Sequence, residues 1–171
     1  MDKLYHLQQQ KNELYLLAIN ITKRCNLACE HCYLDADTLK NGQSNELSVA
    51  EIHGLLDEVA SRGTQTMVVL TGGEPLARKD LEKMIQYGSQ LGLAMVVGTN
   101  GTLLTSRRVA SLKAAGALGL GISVDSLHKE QHDKFRGLQG SWQQTFQGIQ
   151  HCREQDLSFQ IHFTITRNNY T

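Results

Sequence analysis

Proline and aromatic residues are scarce in this sequence, and neither sign of charge is in excess. Of 171 residues one is proline and 6% are aromatic, while 17 lysines and arginines balance 17 aspartates and glutamates. A neutral balance without a basic stripe argues against a nucleic-acid or membrane-surface partner. No apolar run approaches the roughly 20 residues that span a bilayer. The start of the chain lacks the layout of a secretory signal, so we expect a cytoplasmic protein.

Cysteine is also scarce, and its four copies are unevenly placed. Cys25, Cys29 and Cys32 fall within eight residues, whereas Cys152 lies far along the chain. Clustered cysteines in a cytoplasmic chain are typical of metal ligands rather than of disulfides. Cys152 lies on an apolar helical stripe and is predicted to be a buried core thiol.

Short apolar runs alternate with amphipathic segments along the chain. The runs predict strands at 15–21, 66–70, 94–97, 118–124 and 158–165. Continuous apolar runs such as 67–70 are typical of parallel strands buried on both faces. Helix starts are predicted at Ser48 (with Glu51 as a capping box), near Leu81, at Thr105 and near Ser141. The alternation predicts an α/β domain, either a partial barrel or a doubly wound sheet. A full eight-fold barrel needs roughly 250 residues, more than the chain has.

Polar and glycine-rich segments follow four of the predicted strands. In parallel α/β folds, sites gather at the carboxyl ends of the strands, so we expect one pocket there. Gly72 and Gly73 allow either close approach of a ligand or a tight turn. Asn100 lies between glycines and is typical of a turn. Ser123 and Asp125 alternate and are predicted to point to the same side of their strand.

The spacing of the three clustered cysteines lets a short loop bring their thiolates to one centre. Thiolates are the soft ligands that iron–sulfur clusters and zinc prefer. Three cysteines leave one iron of a four-iron cluster open to a non-protein ligand, as catalysis requires. Zinc would recruit His31 for a closed site, although its neighbour Cys32 makes joint tetrahedral ligation awkward. The pattern favours the cluster, and a zinc-stabilised binding module stays open as the alternative.

Three segments together resemble the radical S-adenosylmethionine superfamily. They are the cysteine triplet, the Thr-Gly-Gly-Glu-Pro turn at 71–75 and the Ile-Ser-Val-Asp strand end at 122–125. The resemblance runs from about Leu14 onward, so we expect a lead-in over 1–13 and a core domain over 14–171, incomplete at its C-terminus. It implies a partial (β/α)6 TIM-like barrel, truncated after about five βα units.

The resemblance also implies site residues. Cys25, Cys29 and Cys32 would bind three irons of a 4Fe-4S cluster, and the methionine part of S-adenosylmethionine would chelate the fourth. The predicted S-adenosylmethionine-binding residues are Gly72, Gly73 and Glu74 for the amino group, Ser123 for the ribose or carboxylate, Arg136 for the carboxylate, His31 near the adenine, and Asn100 and Asp125.

The activity implied is reductive cleavage of S-adenosylmethionine to a 5′-deoxyadenosyl radical, which takes hydrogen from a small-molecule or peptide substrate. An electron donor such as flavodoxin or ferredoxin is implied as a partner. The stretch 121–137 resembles the subgroup with a C-terminal extension that carries further clusters. The stretches 147–153 and 161–166 look like its modified-haem branch. A peptide-modifying maturase and a non-catalytic barrel fragment are the alternatives, and most of the seven histidines are expected on the surface or on helices.

Overall fold

The structure is a computed structural model that describes residues 14–34, 37–38, 46–62, 66–167 and 169–170. The predicted lead-in over 1–13 lies outside these residues. The described elements are β1 (Leu16–Thr22), β2 (Arg24–Cys25), β3 (Asp37–Thr38), α1 (Val49–Arg62), β4 (Met67–Gly72), α2 (Leu81–Gln90), β5 (Ala94–Thr99), α3 (Ser106–Ala114), β6 (Gly119–Ser123), α4 (Lys129–Arg136), α5 (Ser141–Glu154) and β7 (Phe159–His162).

Five of these strands form one parallel sheet in the order β1-β4-β5-β6-β7. At least one helix lies between each strand of this sheet and the next. Each new strand lies beside the previous one, and the sheet grows in one direction only. A doubly wound sheet reverses direction at a switch point, whereas a barrel advances in one direction. The strand order therefore confirms the predicted α/β fold and favours the partial barrel over the doubly wound sheet.

The two faces of the sheet are covered differently. Val68 and Leu70 on β4 are fully buried, whereas Met67 on the opposite face is 36% exposed. Met67 and the neighbouring-strand residues Val96 and Gly119 line a hollow on this inner face. The prediction that these strands are buried on both faces is wrong for β4, because helices cover only its outer face and the other faces the open lumen of the barrel.

The predicted helix starts are confirmed. The Ser48 hydroxyl accepts the Glu51 N–H at 3.3 Å, and the Thr105 hydroxyl accepts the Arg108 N–H at 3.2 Å. Cys152 on α5 is fully buried, and burial raises the pKa of its thiol to about 11, as a core position requires. No helix of the described residues is long and apolar enough to cross a membrane.

Two predicted boundaries differ from the structure. The last strand ends at His162 rather than near 165, because the Thr164 N–H turns to donate to the Asp125 carboxylate at 3.1 Å. Helix α4 was not predicted as a helix at all. Its eight residues are mostly charged or polar, so they carry no apolar periodicity, and it ends at Gly137 in the left-handed conformation (φ 68°).

Candidate cluster and cofactor site

The three clustered cysteines border one cavity at the carboxyl edge of the sheet. The cavity has a volume of about 320 Å³, within the range of ligand pockets. All three thiols are free of disulfides, with Cys25 buried, Cys29 half-buried and Cys32 exposed. The wall also includes the ends of four strands, at Thr71–Gly73, Gly98–Asn100, Ser123 and His162. The segments that the sequence pointed to therefore meet at a single pocket.

The sulfurs of Cys25 and Cys29 accept hydrogen bonds from the surrounding chain. The Leu27 N–H donates to Cys25 Sγ at 3.4 Å and the Asn100 amide donates to the same sulfur at 3.8 Å. The Arg136 guanidinium donates to Cys29 Sγ at 3.8 Å. Donors of this kind surround the thiolates of iron–sulfur sites and tune them. The chemistry of this donor set fits an iron–sulfur cluster.

Burial controls the protonation of the same thiols. Loss of solvation raises the pKa of both Cys25 and Cys29, and the positive charge of Arg136 opposes that rise at Cys29. A raised pKa keeps both thiols protonated at neutral pH. Binding of iron therefore has to displace protons, which makes loading favourable at higher pH.

Gly72 and Gly73 bring two chain segments into close contact. The Gly73 N–H donates to the Thr22 carbonyl at 2.8 Å, and the Glu74 N–H donates to the Arg24 carbonyl at 2.7 Å. A Cβ at Gly72 would overlap the Thr22 carbonyl oxygen, and one at Gly73 would overlap that of Arg24. Both glycines line the cavity, but their lack of a side chain is needed for the packing of β4 against the strand that leads into the cysteine loop.

The Glu74 carboxylate is fully buried and does not border the cavity. Its Oε1 accepts the Leu76 N–H at 2.9 Å and the Thr99 hydroxyl at 2.8 Å, and its Oε2 accepts the Asn100 N–H at 2.8 Å. Burial raises the pKa of this carboxyl, while the three donors lower it. The side chain joins the ends of β4 and β5, and it does not reach the cavity in which the sequence predicts that it binds the cofactor.

Replacing Glu74 with glutamine is expected to lower the free energy of unfolding by about 1–3 kcal/mol, because one of the three donors would face an NH2 group and stay unpaired in the interior. Urea denaturation followed by circular dichroism measures this change. Glu58→Gln on the exposed face of α1 is the matched control, since the solvent-exposed Glu58 carboxylate pairs with Arg62 one turn along the same helix. Equal stability of the two variants would contradict the joining role of Glu74.

Asn100 holds the cysteine loop (residues 26–34) against the end of β5. Its side-chain NH2 group donates to Asn26 Oδ1 at 3.0 Å, and the side-chain NH2 group of Asn26 donates to the Thr102 hydroxyl at 2.8 Å. The Thr102 N–H closes the network by donating to Asn100 Oδ1 at 3.0 Å. Asn100 is thus more than a turn former, because it orients the loop that carries the cysteines.

Helix α4 docks onto the other side of the cysteine loop. The Ala28 N–H donates to the Arg136 carbonyl at 3.3 Å, and the Glu30 N–H donates to the Phe135 carbonyl at 3.1 Å. The His31 ring stacks on the Phe135 ring with centroids 4.4 Å apart. Burial lowers the pKa of His31, so its imidazole is neutral at physiological pH. The helix that the sequence did not reveal therefore helps to fix the loop.

Arg136 and Asp125 form a buried ion pair beside the cavity. Arg136 Nη2 lies 2.5 Å from Asp125 Oδ2, with side-chain exposures of 8% and 1%. Arg136 borders the cavity, whereas Asp125 lies behind it. Arg136 is therefore a buried residue of the cavity wall. Ser123 is half-buried and borders the cavity, so Ser123 and Asp125 belong to the same site at different depths.

Sequence reasoning missed His162 and Thr164 as cavity residues. Histidines were expected mostly on the surface or on helices, yet His162 lies at the end of β7, in register with Ser123. His132 on α4 is buried and accepts the Asp125 N–H at 3.4 Å. The position of His162 at the carboxyl end of a strand could have identified it as a cavity residue. The predicted strand continued to residue 165, however, so His162 was placed inside the strand.

The zinc alternative requires four ligands close around one ion. Within the described residues, no three His, Cys, Asp or Glu side chains are arranged to hold a single metal ion. A four-iron cluster places each thiolate on a different iron, so its ligands are spread around the cluster. The geometry of the cysteine loop gives the zinc alternative no support.

The comparison with known families identifies the superfamily of this chain. Residues 19–169 match the Radical SAM superfamily. The chain belongs to this superfamily. Its enzymes use S-adenosylmethionine and an iron–sulfur cluster, as predicted, and they act on small molecules or peptides.

Two curated relatives of this radical SAM chain come from Methanosarcina barkeri. An AdoMet-dependent heme synthase is 41% identical over 154 residues, which cover 90% of this chain and 43% of that protein. An Fe-coproporphyrin III synthase is 37% identical over 163 residues, which cover 95% of this chain and 40% of that protein. The chain spans less than half the length of these relatives. They support the predicted resemblance to the modified-haem branch.

The solved structure of anSMEcpe with bound AdoMet superimposes on 86% of this radical SAM chain and on 43% of that chain, with a TM-score of 0.70 and 22% identity. At this identity the likeness shows the fold alone. It is consistent with the predicted partial TIM-like barrel.

Proposed function

We propose that this chain is the core of a radical SAM enzyme in which Cys25, Cys29 and Cys32 hold a 4Fe-4S cluster. The observation that supports this most is that three cysteines outside any disulfide border one cavity together with the glycine-rich turn of β4. When bound, the cluster and S-adenosylmethionine would supply a 5′-deoxyadenosyl radical that removes hydrogen from a substrate carbon. The protein's contribution is to bind, orient and exclude water.

Some residues of the site would touch S-adenosylmethionine, and others would hold those contacting residues in position. Four residues that border the cavity are proposed to contact S-adenosylmethionine directly, namely Gly72, Gly73, Ser123 and His31. Arg136 also borders the cavity, and its buried Nε–H has no hydrogen-bond partner among the described residues. A free buried donor on a cation suits the methionine carboxylate.

Glu74 and Asp125 are proposed to act from behind the cavity wall, and Asn100, which is part of the wall, is proposed to act through its hydrogen bond to the cysteine loop. Glu74 ties the end of β4 to β5, Asn100 ties β5 to the cysteine loop, and Asp125 holds the Arg136 guanidinium. All three side chains are at least nine-tenths buried, and each accepts at least one hydrogen bond from another part of the chain. These residues therefore set the geometry of the cofactor site.

The proposed substrate is a tetrapyrrole, on the strength of the relatives named above. The charges of the cavity suit its acidic side chains. Arg136 borders the cavity as a cation, the neutral ring of His31 borders it as well, and no aspartate or glutamate among the described residues does so. A wall without carboxylates avoids repelling a substrate that carries several of them.

Reduction of the cluster requires an external electron donor, proposed to be a flavodoxin or ferredoxin in the cytoplasm. Cys32 and Tyr33, at the end of the cysteine loop, are both exposed, with Tyr33 at 81%. A cluster on this loop would therefore lie near the surface, within reach of a docked donor.

Anaerobic reconstitution with iron and sulfide tests the proposal. We expect a brown protein with about four irons per chain that forms 5′-deoxyadenosine from S-adenosylmethionine under dithionite. Iron-coproporphyrin III is then added, and its consumption tests the tetrapyrrole assignment separately. Stoichiometric zinc without visible absorbance would overturn the cluster assignment. 5′-Deoxyadenosine formation without any change in the porphyrin would overturn only the substrate.

A further inference from the structure

We propose that the Arg136–Asp125 ion pair sets the reduction potential of the cluster through Cys29. The inference rests on the proposed function, because it takes Cys29 as a cluster ligand. It assigns Arg136 a second task besides the carboxylate of S-adenosylmethionine. It also makes Asp125 a positioning residue that acts on the cluster through Arg136.

The contact between the ion pair and the cysteine loop is direct. Arg136 Nη1 donates to Cys29 Sγ at 3.8 Å, while Nη2 of the same guanidinium lies 2.5 Å from Asp125 Oδ2. One planar group thus bridges a sulfur and a carboxylate. Because the planar fork of arginine is rigid, the position of the carboxylate fixes the donor that faces the sulfur.

Asp125 is held in place from three sides. Its Oδ1 accepts the Thr164 N–H at 3.1 Å, its backbone N–H donates to His132 Nδ1 at 3.4 Å, and its carbonyl accepts the Asn169 amide at 3.0 Å. The carboxylate therefore cannot follow the guanidinium if the latter moves. This anchoring turns the pair into a fixed arrangement of charges beside the sulfur.

A fixed pair of opposite charges has a predictable effect on a redox centre. Reduction adds one negative charge to the cluster, and hydrogen bonds and charges near its sulfurs change the potential at which this occurs. The guanidinium stabilises the reduced form and raises the potential, whereas the carboxylate opposes it. Both side chains are buried, so solvent and salt screen them weakly.

Removing the charge of Arg136 and removing the charge of Asp125 are expected to shift the reduction potential in opposite directions. Arg136→Gln removes the cation and is expected to lower the potential, while Asp125→Asn removes the anion and is expected to raise it. Arg136→Lys keeps the charge and is expected to lie between Arg136→Gln and the unmodified protein. Lys134→Gln, on the exposed side of the same helix, is the matched control and is expected to leave the potential unchanged.

The potential is measured by titrating the reconstituted holoprotein with a mediated reductant and following the reduced cluster by electron paramagnetic resonance. S-adenosylmethionine is left out, so loss of a carboxylate contact cannot contribute. We expect at least a tenfold change in the ratio of reduced to oxidised cluster at a fixed potential for Arg136→Gln, which is 59 mV for a one-electron couple. The iron content of each variant is determined first, which separates failure of the cluster assignment from failure of this inference.

Each outcome of the titrations either supports or overturns the proposed effect of the ion pair on the reduction potential. Opposite shifts for the charge-removing variants, with Lys134→Gln unchanged, support the inference. Shifts of the same sign, or unchanged potentials in fully loaded protein, overturn it. If Arg136→Gln does not hold the cluster, Asp125→Asn and Arg136→Lys carry the test, and the absence of a rise in Asp125→Asn overturns the inference.

Discussion

Replacing Cys29 with alanine is expected to abolish 5′-deoxyadenosine formation, with product falling below detection. Cys29 borders the cavity and accepts the Arg136 hydrogen bond, so its loss removes one of three cluster ligands. The measurement is chromatographic quantification of 5′-deoxyadenosine after anaerobic reconstitution and reduction, together with the iron content. Cys25→Ala and Cys32→Ala are expected to give the same result.

Cys152→Ala provides the matched control, since it removes the fourth cysteine without touching the cavity. Cys152 is fully buried in the apolar core on α5. This variant is expected to lose some stability but to keep its iron and its 5′-deoxyadenosine formation. Retained cleavage in Cys29→Ala, or loss of iron in Cys152→Ala, would contradict the assignment of the ligands.

The second large effect is expected from Gly73→Ala. Its Cβ would overlap the Arg24 carbonyl, a backbone atom that cannot move without shifting the strand that carries Cys25. Overpacking of this kind costs about 1–3 kcal/mol, which lowers the midpoint of thermal unfolding by about 2–4 °C per kcal/mol for a chain of this size. Differential scanning calorimetry measures the shift, and iron content reports the displaced cysteine.

Gly54→Ala is the control for the glycine substitution. Gly54 lies on the exposed side of α1, and a Cβ there would meet nothing within 4 Å. Alanine in a helix interior is favoured over glycine by about 0.5–1 kcal/mol, so this variant is expected to unfold at a higher temperature. A Gly73→Ala protein that matches the unmodified one in iron content would show that close packing at this turn is unimportant for the site.

The fold was predictable to the extent that each element carried its own local pattern. Strands β1, β4, β5 and β6 have apolar runs, and the helices α1 and α3 have N-cap residues whose hydrogen bonds are now visible. Helix α4 carries neither signal. Phe135 is its one large apolar side chain, and its stability depends on contacts with the cysteine loop, which are remote in sequence.

The site was predictable as a set of residues but not as a set of contacts. Motif spacing pointed to the cysteines and to the glycine-rich turn, because these residue types are needed wherever the chemistry occurs. The sequence could not show that the Glu74 side chain faces away from the cavity, since that depends on Thr99 and Asn100 on another strand. Nor could it show the partner of Arg136, because Asp125 is brought to it by tertiary folding.

The docking of α4 on the cysteine loop has a consequence for the order in which the molecule is made. Arg136 and Cys29 are separated by 107 positions along the chain, and domains are completed from the N-terminus during synthesis. While the ribosome has made only the cysteines and the first strands, the Ala28 and Glu30 N–H groups have no carbonyl partners and the sulfur of Cys29 has no cation. Iron delivered that early would meet three thiols on an unsupported loop. Insertion of the cluster is therefore expected after α4 has emerged and docked on the cysteine loop.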